Sequence, residues 1–350
     1  MKTILHILNT GSYSGAENVA ITMINGIKER YPDKYRLVYV SLDGSIREVL
    51  KKNDIEFEAI TGNTRKEIRR VVKKYEPAII HAHDFTASVN SALHTNRIPI
   101  ISHIHNNVPW IKTVNARSLI YAATCMKYIY VLGVSKAVFE EFVFGETFSD
   151  KEKVIGNPLD IHNIRNKAEC AAQDANSFDI AFLGRLSDQK DPLTFLEIVR
   201  NIRDDCPDAS AVMIGDGEMR EEVETRIREL GLSDTVTLTG FLDNPCVYLK
   251  QANVMCMPSK WEGFGLAAVE ALALGVPVVA SPVGGLKDII TNDCGRLCKS
   301  NGEFSEEICH LLSDKNYQIQ KSKGAKERAE QLDNIEEYIK QIDTLYSSNM

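Results

Sequence analysis

Hydrophobic residues occur along this chain in short runs, and segments with apolar residues at helical spacing follow most of these runs. We predict strands over Thr3–Leu8, Arg36–Ser41, Ala78–His81, Pro99–His103, Val131–Val134, Phe178–Leu183, Ala211–Ile214, Val236–Thr239, Asn253–Pro258 and Val278–Ser281. We predict helices over Ala16–Glu29, Pro192–Arg203, Met219–Leu230, Leu266–Leu274, and from Ser135 onward. Short strands that alternate with helices predict parallel sheets built from right-handed crossovers, an α/β fold.

The strand–helix alternation starts twice, at the beginning of the chain and again after Pro158. At 350 residues the chain is also too long for one ordinary core. We therefore expect two doubly wound, Rossmann-like domains facing across a cleft, residues 1–163 and 164–333, with a polar linker at about Ile161–Asn176. Residues 334–350 end the chain with apolar residues at helical spacing, which predicts a last helix.

Composition narrows the class of protein. With 44% hydrophobic and 25% charged residues the chain is globular, and its net charge of −7 argues against a nucleic-acid binder. Residues 1–165 carry 22 Lys/Arg and 17 Asp/Glu, a net of +5, whereas the remainder carries 19 and 31, a net of −12. The eight cysteines include no Cys-x-x-Cys pair, which predicts a reduced, cytoplasmic protein without structural zinc. The first apolar run, Ile4–Leu8, is too short for a signal peptide, and no run is long enough to span a membrane.

The most informative stretch is Trp261–Glu270, which follows a predicted buried strand and leads into a helix. It contains Glu262, a Gly-Phe-Gly turn, and Glu270 eight positions after the first carboxylate. A strand–glycine turn–helix unit presents free backbone N–H groups and the positive end of a helix dipole, which together favour an anion such as phosphate. The two carboxylates are better suited to the hydroxyls of a sugar or ribose attached to that phosphate.

Two further loops follow predicted strands directly. Gly184-Arg185-Leu186 with Lys190 places a guanidinium and an ammonium where a diphosphate could be held, although a solvated loop is an equal alternative. Gly215-Asp216-Gly217 either lets the backbone approach a ligand or is a plain tight turn, and we favour the turn.

In the first half, Gly11 to Glu17 opens a helix after strand one, but it lacks the Gly-x-Gly-x-x-Gly fingerprint of dinucleotide sites. Histidines cluster at His81-Ala-His83 and His103-Ile-His105, where a polar cleft residue is a better explanation than a metal ligand.

Arg65–Lys74 carries six cations in ten residues. It is predicted to be either a solvated helix packed on the sheet or, as a sharper hypothesis, a contact with an anionic membrane.

Together these motifs resemble the retaining family-4 glycosyltransferases of the GT-B fold, over nearly the whole chain and in the expected order. The matching segments are Gly15-Ala-Glu17, Ile79–His83, Pro99–His105, Gly184–Lys190, Gly215–Gly217, Gly240-Phe241 and the Glu262-x7-Glu270 element. In style the chain is most similar to bacterial enzymes that build capsular or exopolysaccharide repeat units on a lipid carrier.

The resemblance implies that the C-terminal domain binds a nucleoside-diphosphate sugar, preferably a UDP-sugar, and the N-terminal domain a glycan or lipid-linked acceptor. It implies that Arg185 and Lys190 neutralise the leaving diphosphate, and that Glu262 and His105 contact the donor sugar. Glu270 would hold the ribose, and the nucleotide would also contact the loop residues Gly184, Gly215, Asp216, Gly217, Gly240, Phe241, Phe264, Gly265 and Leu266. Gly11 and Gly15 would lie in an acceptor-side loop, and the last helix would return to the N-terminal domain.

The resemblance implies no cofactor, and since no Asp-x-Asp occurs we expect no metal. The protein would act in the cytoplasm or on the inner face of the cell membrane, which Arg65–Lys74 would contact. Two alternatives remain: a nucleotide-sugar epimerase of the same architecture, and a non-catalytic sugar-nucleotide-binding partner of a transferase.

Overall fold

The computed structural model describes residues 1–62, 64–148, 150–169 and 177–350. They form two compact units: unit 1 comprises residues 1–158 and 334–350, and unit 2 comprises residues 159–333. Cys170 and the last part of the expected linker, residues 171–176, lie outside the described residues.

Unit 1 is built on a seven-stranded parallel sheet in the order β3-β2-β1-β4-β5-β6-β7. Its strands are β1 (Lys2–Ile7), β2 (Tyr35–Leu42), β3 (Glu56–Ile60), β4 (Ile79–His83), β5 (Ile100–Ile104), β6 (Tyr128–Gly133) and β7 (Glu152–Val154). Its helices are α1 (Gly15–Arg30), α2 (Ile46–Lys52), α3 (Arg65–Tyr75), α4 (Asp84–His94), α5 (Ala116–Thr124) and α6 (Ala137–Glu140), with 3₁₀ turns at Pro109–Lys112, Cys125–Lys127 and Gly145–Phe148.

The strand order of unit 1 reverses direction between β1 and β4. Because parallel crossovers are right-handed, the helices that lead toward β3 lie on one face of the sheet, and those that lead toward β7 lie on the other. Thus α1 and α2 cover one face, whereas α3, α4 and α5 form a layer on the opposite face, in which α4 packs against both neighbours.

Unit 2 has a six-stranded parallel sheet in the order β10-β9-β8-β11-β12-β13. Its strands are β8 (Phe178–Leu183), β9 (Ala211–Ile214), β10 (Val236–Gly240), β11 (Ala252–Met257), β12 (Val278–Ala280) and β13 (Gly295–Leu297). Its helices are α7 (Ile161–Glu169), α8 (Pro192–Asp205), α9 (Arg220–Glu229), α10 (Cys246–Leu249), α11 (Leu266–Ala273), α12 (Leu286–Ile289), α13 (Asn301–Ser313) and α14 (Lys315–Leu332).

The prediction of two doubly wound α/β domains is confirmed, but some local predictions are wrong. The expected linker begins with helix α7, because Leu159 and Ile161 are buried in the core of unit 2. The unit boundary therefore falls after Pro158 instead of after residue 163. The helix expected from Ser135 is only the single turn α6.

The last helix, α15 (Ile335–Ser347), belongs to unit 1. Its apolar face, with Ile339 and Ile342, packs with α1 into the core on that side of the sheet. Gly26 of α1 permits this approach, because a Cβ there would lie 2.6 Å from the Cδ1 atom of Ile339. Among the described residues no helix is both long and apolar enough to cross a membrane.

Candidate functional site

The loops of unit 2 that carry the predicted donor-site residues follow β8, β9, β10 and β11. All strands of this sheet are parallel, so these loops lie at one edge, beyond the carboxyl ends. The chain order of the strands reverses between β8 and β11, and ligands of doubly wound sheets bind at such a reversal. Arg185, Lys190, Glu262 and Glu270 come from the two segments that follow these strands.

Glycines allow the β8 and β9 loops to touch through their backbones. A Cβ on Gly215, where φ is +138°, would lie 2.0 Å from the carbonyl oxygen of Gly184. A Cβ on Gly217 would lie 2.3 Å from the carbonyl oxygen of Leu186, whose N–H donates to Asp216 O at 3.1 Å. This packing alone requires both glycines.

The β10 end joins the same edge, since Gly215 N donates to Gly240 O at 2.9 Å. Gly240 itself has a φ of +72°, and the next residue, Phe241, leaves 61% of its surface exposed. An aromatic ring is thus available at this edge for a stacking contact.

Lys190 and Glu262 form an ion pair, with 2.5 Å between Nζ and Oε2. Only 17% and 11% of these two side chains are exposed, so the pair is largely shielded from solvent. The loops that carry them are also joined by Lys260 N, which donates to Gln189 O at 2.9 Å. Lys190, predicted to contact the diphosphate, and Glu262, predicted to contact the donor sugar, are therefore direct neighbours.

Arg185 is exposed at the same edge. Among the described residues it has no ion pair with a carboxylate, unlike Lys190. An exposed guanidinium and a shielded ammonium on one loop suit a diphosphate, which accepts both bidentate hydrogen bonds and a point charge.

Helix α11 begins at this edge after a tightly packed turn. Gly265, its N-cap, has a φ of +108°, and Gly284 leaves no space for a Cβ, which would lie 1.5 Å from Glu262 O. Phe264 and Leu266 are half-buried on either side of Gly265. The first N–H groups of this helix supply the positive end of its dipole.

Glu270 lies on α11 and is half-buried. Burial raises the pKa of this carboxyl to about 7, while the cations of Lys167 and Lys190 act in the opposite direction. Lys190 therefore lies within electrostatic reach of both carboxylates of the predicted Glu-x7-Glu element, and Lys167 was not predicted as part of the site.

In unit 1, Gly11 has a structural role. A Cβ on Gly11 would lie 2.3 Å from Asp43 O, and its own carbonyl oxygen accepts a hydrogen bond from Ile46 N. Gly15 is exposed at the start of α1, with open space around its Cα. Gly11 lies in the loop after β1 and Gly15 is the first residue of α1, and of the two only Gly11 is required by the local packing.

Five histidines form a buried ladder across the central strands of unit 1. His6 on β1 is the register partner of His81 on β4, and His83 is the partner of His103 on β5. The rings stack, with 4.7 Å and an interplanar angle of 2° between His81 and His83. His105 follows β5 and stacks on His83 with 5.1 Å between the ring centroids.

The ring nitrogens of the ladder form two hydrogen-bonded chains. In one, His81 Nδ1 lies 2.6 Å from the hydroxyl of Tyr346 and His81 Nε2 lies 3.1 Å from His103 Nδ1. In the other, His83 lies 3.2 Å from His6 Nδ1 and 2.8 Å from His105 Nε2. Each neutral imidazole has one donor and one acceptor, so the contacts between the rings can form without charge. Among the described residues the outer nitrogens of two end rings, His6 Nε2 and His103 Nε2, are buried without a hydrogen-bond partner.

Burial keeps the ladder neutral. It lowers the pKa of His6 and of His105 to about 3, and it lowers the pKa values of His81, His83 and His103 well below 6.5. Two triplets, His6–His81–His83 and His83–His103–His105, bring ring nitrogens within 4.8 Å of one another. The hydrogen bonds along the ladder already account for this proximity.

Asp84, which directly follows the His81-Ala-His83 cluster, positions the His105 segment, a role that was not predicted from the sequence. Its carboxylate accepts a hydrogen bond from His105 N at 2.8 Å, its φ is +63°, and burial raises its pKa to about 7. The signal in the sequence was the position of Asp84 directly after His81-Ala-His83, at the end of a strand.

The basic segment Arg65–Lys74 forms α3, but two of its six cations are matched by acids. Arg70 and Lys74 both pair with Glu58, whose pKa is lowered to about 2 despite burial because both cations donate to it. Arg70 also pairs with Glu67. The outer face of α3 remains basic, but it is less charged than the sequence suggests.

Comparison with known proteins decides the family. Residues 164–331 match the family described as "Glycosyl transferases group 1". An uncharacterized glycosyltransferase of Methanocaldococcus jannaschii is 31% identical over 273 residues, which cover 69% of this chain and 67% of the relative. The chain belongs to the group 1 glycosyl transferases.

Two other similarities bear on this group 1 glycosyl transferase. The Escherichia coli UDP-Gal:alpha-D-GlcNAc-diphosphoundecaprenol alpha-1,3-galactosyltransferase is 26% identical over 301 residues, covering 79% of this chain and 77% of the relative. The structure of Anabaena HepE in complex with UDP and glucose superposes with a TM-score of 0.87 at 21% identity, covering 99% of this chain and 100% of HepE. The second similarity establishes the GT-B fold.

Proposed function

We propose that this protein is a retaining glycosyltransferase that moves a sugar from a UDP-sugar to a glycan or lipid-linked saccharide. The observation that carries the proposal is the Lys190–Glu262 pair, which lies with exposed Arg185 at the strand-order reversal of unit 2. Support for the substrates comes from the E. coli relative, whose name gives a UDP-sugar donor and a diphosphoundecaprenol-linked acceptor.

Lys190 connects donor binding to bond cleavage in this proposal. In the free protein its ammonium is paired with Glu262. A bound diphosphate, carrying more charge than one carboxylate, draws the ammonium toward itself together with Arg185. As the glycosidic bond breaks, negative charge grows on the leaving diphosphate, so these preorganised donors stabilise the transition state more than the ground state. Glu262 is then free to hold a hydroxyl of the transferred sugar.

Glu270 would hold the ribose hydroxyls from α11, with Phe241 and the β9 loop at the nucleotide. Donation to a carboxylate from two hydroxyls favours its charged form, so binding is expected to lower the raised pKa of Glu270. His105 would contact the donor sugar, and Gly11 and Gly15 would lie on the acceptor side. No metal or cofactor takes part in the proposed reaction.

By the same proposal the protein works in the cytoplasm, or on the inner face of the cell membrane where a lipid-linked acceptor is presented. It would contribute to a capsular or other surface polysaccharide, and the basic face of α3 would contact anionic lipid.

A thermal-shift panel with UDP, GDP, ADP and their sugar conjugates tests the donor class. A ligand at about 100 times its Kd stabilises the folded state by about 2.7 kcal/mol, which raises the Tm by about 5–10 °C for a unit of this size. We expect the shift with UDP and UDP-sugars only. Product analysis with the matched donor then distinguishes transfer to an added acceptor from release of an epimerised sugar nucleotide, or from binding without turnover. Either of the last two results would contradict the proposal.

A further inference from the structure

Arg220 lies between two loops at the carboxyl edge of unit 2. It is the first residue of α9, and its backbone N–H donates to Gly217 O at 3.1 Å, so it follows the β9 loop directly. Its side chain extends toward the end of β10, where Nη1 would lie 3.4 Å from a Cβ placed on Gly240. The guanidinium therefore lies beside Gly240, in the direction that a side chain there would take.

Two carboxylates hold this guanidinium in place. Glu224, one turn along α9, accepts a hydrogen bond from Nε at 2.9 Å, and Asp216 Oδ2 lies 3.4 Å from Nη1. Asp216 is itself fixed, because its Oδ1 accepts a hydrogen bond from Gly217 N at 2.8 Å. The Arg220 side chain is thus oriented by its neighbours, although 37% of it remains exposed.

These ion pairs decide which group of a nucleotide Arg220 can bind. All N–H bonds of a guanidinium lie in its plane, so Asp216 and Glu224 engage its edge and do not cover its flat faces. Two carboxylates beside one cation also disfavour a further anion. Arg185, which among the described residues pairs with no carboxylate, is better suited to the diphosphate.

An aromatic ring lies next to this guanidinium along the edge. Phe241 follows Gly240 in the chain and leaves 61% of its surface exposed. Phenyl rings and guanidinium planes both stack on nucleobases, and neither needs a charge on the base. Gly240 therefore separates two flat groups that can receive a base between them.

We propose that Arg220 and Phe241 hold the base of the donor nucleotide between them, with Asp216 and Glu224 as positioning residues for the guanidinium. The proposal rests on the proposed function, because it needs a nucleotide at this edge. Asp216, predicted from the sequence to contact the nucleotide, then acts through Arg220. Since every base has a face for stacking, this clamp adds affinity for any nucleoside diphosphate, and the choice of base falls to other groups.

Calorimetric titration of the full chain with UDP, GDP and inorganic pyrophosphate tests the proposal. Pyrophosphate has the charge of the diphosphate but no base, so it separates stacking from phosphate binding. Arg220→Met should weaken UDP binding about tenfold, through the loss of one stacking face, and change pyrophosphate binding less than about twofold. Arg220→Lys should give the same result, because an ammonium keeps the charge but has no flat face.

Helix α9 supplies a matched control for each substitution. Arg226 is 39% exposed and is also paired with two carboxylates, those of Glu197 and Glu229, so Arg226→Met should leave UDP affinity unchanged. Glu224→Gln should weaken UDP binding about threefold without affecting pyrophosphate, because the guanidinium loses a charged partner that orients it. Glu222→Gln, on the same helix, should have no effect. The thermal transition of each variant checks its folding.

The outcomes separate this proposal from the proposed function. Unchanged UDP affinity in Arg220→Met would overturn the clamp, and so would wild-type affinity in Arg220→Lys, which would make Arg220 a simple charge. An equal loss of UDP and pyrophosphate binding would also overturn it, since Arg220 would then bind phosphate or support the loop. If the wild-type protein binds GDP instead of UDP, the same comparison is made with GDP. If it binds neither, the proposed function fails together with the clamp.

Discussion

The two sheets carry different polar side chains toward their carboxyl edges. Unit 2 places charged side chains there, the paired Lys190 and Glu262 and the exposed Arg185. Unit 1 fills its central strands with neutral, mutually hydrogen-bonded imidazoles that end near the edge at His105. Charged side chains that can exchange partners suit the binding of an anion, whereas the neutral histidine ladder has most of its ring nitrogens engaged with one another. From this comparison we expect the stability of unit 1 to depend on pH through its histidines, and unit 2 to bind anions through its charged loops.

The largest expected effect is acid destabilisation of unit 1. Unfolded histidines have a pKa near 6.5, but the folded values for His6 and His105 are about 3, so the unfolded state binds more protons below pH 6.5. The stability is fully present above pH 6.5 and is lost as the pH falls toward 3. Each of these two groups costs about 1.4 kcal/mol per pH unit in that window, so His6 and His105 together cost about 2.5 kcal/mol between pH 7 and 5.5. The lowered pKa values of His81, His83 and His103 add to this loss, whereas the raised pKa of Asp84 opposes it.

The two tryptophans, one in each unit, allow this effect to be assigned. In a Trp261→Phe variant the remaining Trp110 reports on unit 1, and in Trp110→Phe the remaining Trp261 reports on unit 2. Urea unfolding at the two pH values should show the acid effect only with Trp110. An equal effect at both reporters would remove the contrast between the units.

The next largest effect is on catalysis in unit 2. Arg185→Ala or Lys190→Ala should each lower kcat by about 10²–10³, as expected for the loss of one preorganised donor to a developing charge. The measurement is steady-state transfer with the donor identified by thermal shift. Arg200→Ala removes an exposed cation of the same unit that pairs with Asp204, and should leave kcat within about twofold. Near wild-type rates for both site variants would refute the diphosphate assignment.

Glu270→Gln should separate stability from binding. The folded pKa of Glu270, about 7, lies above the unfolded value of 4.5. Ionisation of this carboxyl therefore destabilises the folded state, and the free energy of unfolding falls as the pH rises from 4.5 through 7. Removing the charge should raise the free energy of unfolding by about 3 kcal/mol at pH 8 and have little effect at pH 4.5. UDP affinity should fall about tenfold because the ribose hydroxyls lose a charged acceptor. Glu222→Gln on exposed α9 is the control, and unchanged UDP affinity in Glu270→Gln would count against the ribose role.

The smallest expected effect concerns the start of one histidine chain. Tyr346→Phe leaves His81 Nδ1 without its partner and should cost about 1–2 kcal/mol of stability in unit 1. Tyr338→Phe, in the same helix, removes only a weak contact with the sulfur of Met23 and should cost less. Neither variant should change UDP affinity, and a change with Tyr346→Phe alone would link the ladder to the nucleotide site.

The candidate site of unit 2 could be predicted from the sequence because its parts lie close together along the chain. Gly184 to Lys190 follows one buried strand, and Glu262 to Glu270 follows another. Each loop can be recognised in the sequence as a buried strand followed by glycine and charged residues. The ion pair between Lys190 and Glu262 could not be predicted, since it depends on β8 lying next to β11.

The ladder of unit 1 was visible only in part. Histidines two positions apart on a strand share a face, which the sequence shows for His81 and His83. His6 joins them because β1 pairs with β4, and Tyr346 because the last helix packs on unit 1, and neither pairing leaves a local signal. The strands β3, β7 and β13, each at the edge of its sheet, were also missed, and β7 and β13 have only three residues each.

Hydrogen–deuterium exchange with and without UDP tests the central contrast most directly, because it reads both units in one experiment. Bound UDP should slow exchange in the unit 2 loops 184–191, 215–219 and 261–266, and leave the ladder strands β1, β4 and β5 unchanged. Protection confined to unit 1, or no protection in the loops that carry Lys190 and Glu262, would contradict the account.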